Sequence, residues 1–547
     1  MHDKPMIHGT FRTDVRARAA YAEGAGIYRI VPEAVALPAD RDDLGSLVRW
    51  AEERGTGLTP RGAGSGIPGG SVGSGVVVDL RQLQPRTLEV DPASRTAKAS
   101  AGVTLAELNA AAEAHGLRLP PNPSSAAWAT LSGMVATNAS GARSVRSGSV
   151  RMWIHGLEIV GRAGEAFGTQ RAWSDLPKIR PAGPVAEFNK EVAPVLRANT
   201  SLIQARFPRT RKNSSGYALE SWLATGDLVD LFVGSEGTLG FITETTWRLE
   251  RIPAAQAGLR ISLGSLDDLE LSVRALMRLR PSAVELLDRT FLELLDLADR
   301  EIDRPAVPPG TEAMLLVEFE RETPDAARGA AGDAVRALDG VAREVETALT
   351  PDEERRLWSL RHAASPILAS LPPDRRSMQV IEDACVPIVR LGEYVRTIRD
   401  AAASRKLTVV IFGHAGDGNI HVNVLPNLSE PDWQERVGEL YAEVNQAALA
   451  LEGTLSGEHG DGRLRASWLK RQYGPEVVEL FQRIKTAFDP HGIFNPGVIL
   501  SAKGSPFESL KIGPDAASLP EDIALALREI ERTGGYAVDR LSIADGT

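Results

Sequence analysis

Pro60-Arg61-Gly62-Ala63-Gly64-Ser65-Gly66-Ile67-Pro68-Gly69-Gly70 is the stretch whose reading decides the fold. Gly64 to Gly69 match G-x-G-x-x-G, a pattern that in doubly wound folds stands directly before a helix whose N-terminus faces a pyrophosphate. No helix can open here. Pro68, Gly69, Gly70, Gly73 and Gly75 are poor helix-interior residues, and the next regular element, Val76-Val77-Val78-Asp79-Leu80, reads as a buried strand. A glycine loop between strands can still bind an anion, because successive backbone N–H groups of mixed handedness form a concavity without a helix. Taken alone, an ordinary surface loop is the other reading.

Working outward, Leu44, Leu47, Val48 and Ala51 recur at helical spacing within Asp40 to Glu53, and Gly55 and Gly57 end that helix. Gly102 to Leu117 predicts another, with Thr104 and Glu107 at capping-box spacing. A second loop, Pro120 to Gly148, is dense in Pro, Ser, Gly, Ala and Asn. Ile154 to Val160 reads as a strand, and two short apolar runs flank Gly234-Ser235-Glu236-Gly237. These elements end near Pro253 and suit an α+β domain rather than a strictly alternating one. Beyond it, Leu259–Leu263, a Leu-rich helix at 266–279, Met314–Phe319 and an Ala-rich helix at 325–338 suit an antiparallel sheet with helices on one face. Pro475 to Phe488 is amphipathic through Val478, Phe481, Ile484 and Phe488. A polar tail from 501 carries one more helix, Glu521 to Arg532, between Pro520 and Gly534.

The 547 residues carry 62 Lys+Arg against 72 Asp+Glu, and the net charge of −10 argues against a nucleic-acid partner. The lone Cys385 excludes an internal disulfide and an iron–sulfur cluster, so any metal must use His and carboxylate; between Ala384 and Val386 it reads as a buried, inert thiol. No secretory h-region opens the chain and no stretch approaches the roughly 18 apolar residues of a membrane span, so the expected location is cytoplasmic, with peripheral contact at the inner membrane face open.

Thr408 to His414, then Ala415-Gly416-Asp417-Gly418, then Asn419 to Leu425 form a β-hairpin signature. If His414 pairs across from Asn419, alternation puts His414, Asn419, His421 and Asn423 on one face, while Ile411, Val422 and Val424 supply apolar packing. Far along the chain, Ser456-Gly457-Glu458-His459-Gly460-Asp461-Gly462 sets a carboxylate beside a histidine. Two His and one Glu with an open position fit a catalytic divalent site better than a closed structural one.

The order of these segments resembles the vanillyl-alcohol oxidase/PCMH-type flavoproteins, specifically their FAD-linked D-2-hydroxyacid dehydrogenase branch, which includes D-lactate, D-2-hydroxyglutarate and glycolate dehydrogenases. The resemblance rests on Pro60–Gly70, Pro120–Gly141, Ser215-Gly216-Tyr217, Gly234 to Thr243, and Phe494-Asn495-Pro496-Gly497, which together span about residues 25–500. It implies an N-terminal segment (1–30), a two-subdomain PCMH-type FAD-binding domain (31–255), an antiparallel-sheet-plus-helices substrate domain (256–500) and a C-terminal tail (501–547). Backbone amides of Arg61, Gly62, Ala63, Gly64, Ser65, Gly66 and Gly69, after Pro60, would cradle FAD. Gly133, Thr137, Asn138, Gly141, Glu236, Gly237 and Ile242 would line it, and Asn495 would approach the flavin from the C-terminal side. Asn122 stands where such segments more often have Asp, and Ser140 where Gly is common. No His or Cys lies in Pro60–Gly70, which implies non-covalent FAD.

By the same resemblance His414, His421 and Glu458 would bind a divalent metal, often zinc. His459 would be the catalytic base, Asn423 would contact substrate, and Arg361 would hold the substrate carboxylate through its bidentate fork. Glu382 and Asp383 would act one layer out. The implied reaction is oxidation of a small D-2-hydroxy acid, with electrons passed to a cytochrome, a quinone or an electron-transfer flavoprotein. A separate iron–sulfur protein is a further candidate, since longer relatives carry such a domain in the same chain. A flavin subunit of an electron-transfer complex, or alcohol or aldonolactone oxidation, are the rival readings, and a homodimer is left open.

Overall fold

The computed structural model describes residues 4–174, 183–297, 306–372, 374–500 and 504–546. Leu58–Arg61 enters the glycine loop and Val76–Asp79 leaves it, and the two strands pair in parallel. Ala34–Leu37 and Thr10–Arg12 complete a four-stranded sheet. The helix Arg41–Arg54 crosses over it, capped by Asp40 and ended by left-handed Gly55. The predicted strand behind the loop is therefore present, and no helix follows the glycines.

A second subdomain is a five-stranded antiparallel sheet in the order Leu88–Asp91, Thr96–Ser100, Phe241–Arg248, Ile154–Val160, Ala166–Gln170. The capping box forms at Thr104 and Glu107, starting the helix Leu105–Glu113. The second loop is not wholly irregular: it contains the short helix Leu131–Thr137, N-capped by Thr130.

The third sheet has seven antiparallel strands in the order Glu344–Ala348, Ala255–Leu263, Ala313–Arg321, Ala283–Asp288, Thr408–His414, Asn419–Leu425, Met378–Cys385. Alternation sorts its side chains. Leu259, Ile261, Leu315, Val317, Ile411 and Val422 enter the largest core, under the helices Asp267–Met277, Pro324–Ala337, Leu391–Ser404 and Trp433–Ala450. The opposite face is not bare, as a one-face arrangement would have it. Met314, Leu316, Val410 and Phe412 form a smaller core there with Phe291, Leu360 and Ile367, and this face also carries the buried His414, His421 and Glu285. Polar groups that cannot join the large core thus share one face, turned toward the glycine loops.

After this sheet the chain returns to the first half. Pro475–Phe488 buries Phe481, Ile484 and Phe488 among Tyr217, Phe188 and Phe232 of the second subdomain. Phe494 joins the core of the first. The tail helix, Glu521–Thr533, buries Ile523 and Leu527 against the N-terminal helix Val15–Ala20. Among the described residues, no helix is long and apolar enough to cross a membrane.

Candidate active site

A cavity of about 1540 Å³ lies where the glycine loops face the polar side of the large sheet. It exceeds the ~300–1,000 Å³ of most single-ligand pockets. Pro60, Arg61, Gly62, Ala63, Gly64, Ser65, Gly66, Gly133, Thr137, Gly141, Glu236, Gly237 and Ile242 line it. A Cβ on Gly62 would sit 2.3 Å from Thr130 Oγ1, so the two loops close on each other only with glycine there. Gly69, Asn138 and Asn495 stand one layer behind the wall. A Cβ on Gly69 would lie 2.5 Å from the Tyr28 ring, Asn138 Nδ2 donates to Ser214 Oγ (3.1 Å), and Asn495 Nδ2 donates to the carbonyls of Gly70 and Glu236, each at 2.8 Å. Asn495 is thus a staple between the loop and the 234–237 turn.

The wall fits FAD. Among the described residues the N–H groups of Gly62 to Gly66 donate to no protein acceptor, leaving a row of amides for a diphosphate. Ser71 Oγ, Ser132 Oγ and Trp128 Nε1 are buried in the same wall without a partner, a cost that a polar ligand removes.

At the far side of the cavity the hairpin has the expected register: His414 opposite Asn419, Phe412 opposite His421, Val410 opposite Asn423. Gly418 makes the turn at φ +75°, where a Cβ would meet Val386 O at 2.0 Å. Three imidazole Nε2 atoms converge on one oxygen, Glu458 Oε1: His414 at 3.0 Å, His421 and His459 at 3.4 Å each. Each Nδ1 is engaged outward, His414 with Glu285 Oε1 (2.6 Å), His421 with the Glu382 carbonyl (2.5 Å) and His459 with the Glu382 carboxylate. Those partners fix the ring orientations and turn each Nε2 inward, the usual outer shell of metal-binding imidazoles. Donor atoms of His414, His421 and Glu458 lie within 4.8 Å of one another, a set that could hold a divalent cation with a position open to the cavity.

The electrostatics follow from burial and these partners. Burial opposes the Glu458 charge, yet Lys212 and His414 outweigh it and hold the carboxyl well below its usual range. Burial likewise opposes Glu285 and Glu382; His414 and Arg361 bring the first down to about 2, and Arg465 and His459 do the same for the second. Burial pulls His421 down, whereas on His459 the charges of Glu382 and Asp383 overcome burial and raise it. Burial pushes the Cys385 thiol up to about 12, which suits the inert role read for it.

Arg361 lines the cavity, its Nε donating to Glu285 Oε2 at 2.9 Å and its guanidinium stacked 4.6 Å from the Phe412 ring centre. Asn423 lines it too, with Oδ1 accepting from Ser377 Oγ at 2.7 Å. Sequence reading missed Lys212, whose buried Nζ donates to Glu458 Oε2 (2.9 Å) and Asn419 Oδ1 (3.1 Å). Its signal was proximity to Ser215-Gly216-Tyr217. Glu285 was missed as well, although a carboxylate inside the apolar run Ala283–Asp288 needed a cation. Asp383 does more than stand behind the site: its carboxylate accepts from the amides of Glu458 (3.0 Å) and His459 (2.8 Å) and from Ser456 Oγ (2.7 Å), fixing the Glu-His loop.

Two subdomains of helices and sheet around a glycine-loop cavity, followed by a C-terminal domain built on an antiparallel sheet, define a PCMH-type flavoprotein. Residues 32–169 match the family model for the FAD binding domain, and 252–499 match that for FAD linked oxidases, C-terminal domain. The chain is 30% identical over 474 residues to "Glycolate oxidase subunit GlcD" of Bacillus subtilis, covering 86% of this chain and 89% of that one. It is 31% identical over 471 residues to D-lactate dehydrogenase of Archaeoglobus fulgidus, covering 85% and 91%. To D-2-hydroxyglutarate dehydrogenase of Pantoea ananatis it is 27% identical over 553 residues, covering 96% of this chain and 53% of that longer one. In fold it is similar to 4-ethylphenol oxidase from Gulosibacter chungangensis, with TM-score 0.64, 15% identity and 90% and 94% of the two chains covered. The chain belongs to the FAD-linked oxidase family, and it is an FAD-dependent oxidoreductase.

Proposed function

We propose that this enzyme oxidises a small D-2-hydroxy acid to the 2-oxo acid, using non-covalent FAD and a divalent cation, zinc foremost, on His414, His421 and Glu458. The observation that carries the reading is the convergence of three imidazole Nε2 atoms on Glu458 Oε1 in the wall of the flavin cavity. The names of the relatives, glycolate, D-lactate and D-2-hydroxyglutarate enzymes, support the substrate class.

FAD held by the glycine loops would supply a hydride acceptor, and a cation held by His414, His421 and Glu458 would supply Lewis acidity toward an α-hydroxy carboxylate. In its neutral form His459 takes the hydroxyl proton at Nε2, because its Nδ1–H is engaged by the Glu382 carboxylate, which also stabilises the imidazolium that results. Arg361, held by Glu285, pairs with the substrate carboxylate, and Asn423 donates to it from the hairpin. Loss of one proton to His459 and one hydride converts CHOH to C=O. Electrons then leave to an acceptor outside the chain, a cytochrome, quinone, flavoprotein or iron–sulfur protein.

Anaerobic bleaching of the flavin by D-lactate, glycolate, D-2-hydroxyglutarate and D-malate, with metal analysis of the same sample, tests this. Bleaching by one of them and about one divalent ion per chain is expected; bleaching by none, with no bound metal, overturns it.

A further inference from the structure

Both matched family models end before the tail, at residue 499 at the latest, yet the tail does not lie apart from the site. Thr533, Gly534 and Tyr536 form part of the cavity wall next to the glycine loop. Tyr536 packs with Ala63 of that loop and Ile530 of the tail helix, and its ring lies 5.9 Å from that of Trp128 in the second loop. Gly534 ends the helix at φ +69°, where a Cβ would come within 3.0 Å of Trp128. Trp128 Nε1, buried without a partner, is among the orphaned donors of the wall.

The tail is also tied into the residues beneath the loop. Lys511 N donates to Ile27 O and Arg29 N to Ser509 O, each at 2.8 Å, while Ala25 N donates to Gly64 O at 2.9 Å. One short stretch of backbone therefore links the tail to the glycine loop itself.

Charge points to the same ligand. The buried Arg61 gives its Nη groups to the carbonyls of Ser71 (3.2 Å) and Glu23 (2.8 Å), not to a carboxylate. Asp79 pairs with Arg81 at 2.8 Å, and Glu23 with Arg29 at 2.6 Å. The tail adds Arg540, 2% exposed, with Nε and Nη1 lacking any partner. Burial, then the charge of Arg61, pulls its guanidinium down to about 9. Arg540, behind the cavity wall, thus feels the charge of Arg61 in that wall and of Arg81, with Asp79 as the paired carboxylate among them, a surplus of positive charge that an anion bound on the loop would offset.

We propose that residues 510–545 are a C-terminal clasp that completes the FAD site: Tyr536 and Gly534 close the cavity over Trp128, and Arg540, behind the wall, adds positive charge that favours an anionic cofactor on the glycine loop. The proposal rests on FAD being the cofactor, and the wild-type holoenzyme controls for that. If deflavinated wild type rebinds no FAD, the cofactor assignment fails. If it does rebind, the variants test the clasp.

Tyr536→Ala and Arg540→Gln, each in the full chain, are deflavinated and titrated with FAD by quenching of flavin fluorescence. Each should raise the dissociation constant about three- to ten-fold, the size of one lost aromatic contact or one lost charge contact. Melting temperatures with and without saturating FAD separate binding from structure. In Arg540→Gln the cofactor-free protein should melt no lower than wild type, since repulsion with Arg61 is relieved, while the gain on adding FAD shrinks. Trp128→Phe keeps the packing, removes the orphaned donor, and should weaken FAD alone. Wild-type FAD affinity in Tyr536→Ala and Arg540→Gln, or an undiminished melting gain on adding FAD, overturns the clasp.

Discussion

Glu382→Gln is the substitution that separates a positioned base from a merely structural histidine. Glu382 offers one carboxylate oxygen to Arg465 and the other to His459 Nδ1. Arg465 is a permanent donor, 2% exposed, so a glutamine at 382 must turn its oxygen toward Arg465. Its NH2 then faces His459 Nδ1. An NH2 can only donate, so Nδ1 becomes the acceptor and the ring proton moves to Nε2, the atom meant to take the substrate proton. Volume, packing and the Arg465 contact are all retained. The loss is therefore that of general-base function with the wrong tautomer, about 10²–10⁴-fold in rate, or about 3–5 kcal/mol in the barrier. The assay is anaerobic stopped flow following flavin bleaching by the best substrate, with FAD content, metal content and melting temperature as controls. Bleaching within three-fold of wild type, at full FAD and metal content, would refute His459 as the base and Glu382 as its orienter.

Four further outcomes follow from the sequence and the structure. Chelation of the divalent ion should stop substrate bleaching while leaving flavin bound, and Glu285→Ala, which frees His414 Nδ1, should weaken metal binding about 10–100-fold in a competition titration with a chromophoric chelator. Glu236 is buried, and burial together with Asp461 raises its carboxyl to about 8. Its folded pKa lies above the unfolded one, so it favours folding fully below about pH 4.5 and loses that contribution as pH rises toward 8, at up to about 1.4 kcal/mol per pH unit. Glu236→Gln, which keeps an acceptor for the Asp461 and Gly462 amides, should flatten the decline in melting temperature across that window, and an unchanged slope would contradict the assignment. Acid precipitation should release all flavin to the supernatant, because the Pro60–Gly70 loop has no His or Cys; a yellow pellet would contradict non-covalent binding.

Much of this was legible without coordinates because it is local. The five glycine and proline positions behind Ile67 forbid a helix by their backbone alone. Gly413, Gly416 and Gly418 between two β-branched runs specify the hairpin, and once His414 faces Asn419 the period of two forces His421 and Asn423 to the same side. Thr104 and Glu107, Asp40 and Gly55 marked helix ends where the structure has them, since caps depend on neighbours three or four residues away.

What the sequence determined by itself, then, was the type of each segment and the face that each side chain takes within it. Tertiary structure alone decided which faces meet. Glu458 Oε1 is reached by its chain neighbour His459 and, from the hairpin, by His414 and His421, while Lys212 and Ser140 hold its other oxygen from the FAD-binding half. The Glu-His pair, the hairpin and the Ser140 and Lys212 segments are joined by long connections, and no periodicity spans such separations; only the order of strands in the seven-stranded sheet and its docking on the glycine loops bring them together. The tail shows the same division. Its helix could be read from Pro520 to Gly534, but its place over the glycine loop depends on Ile523 and Leu527 burying against Ala17 and Ala20, five hundred residues away. The free energy of that burial comes from apolar area removed from water, which a sequence pattern foretells, while the surface that removes it is chosen by the fold.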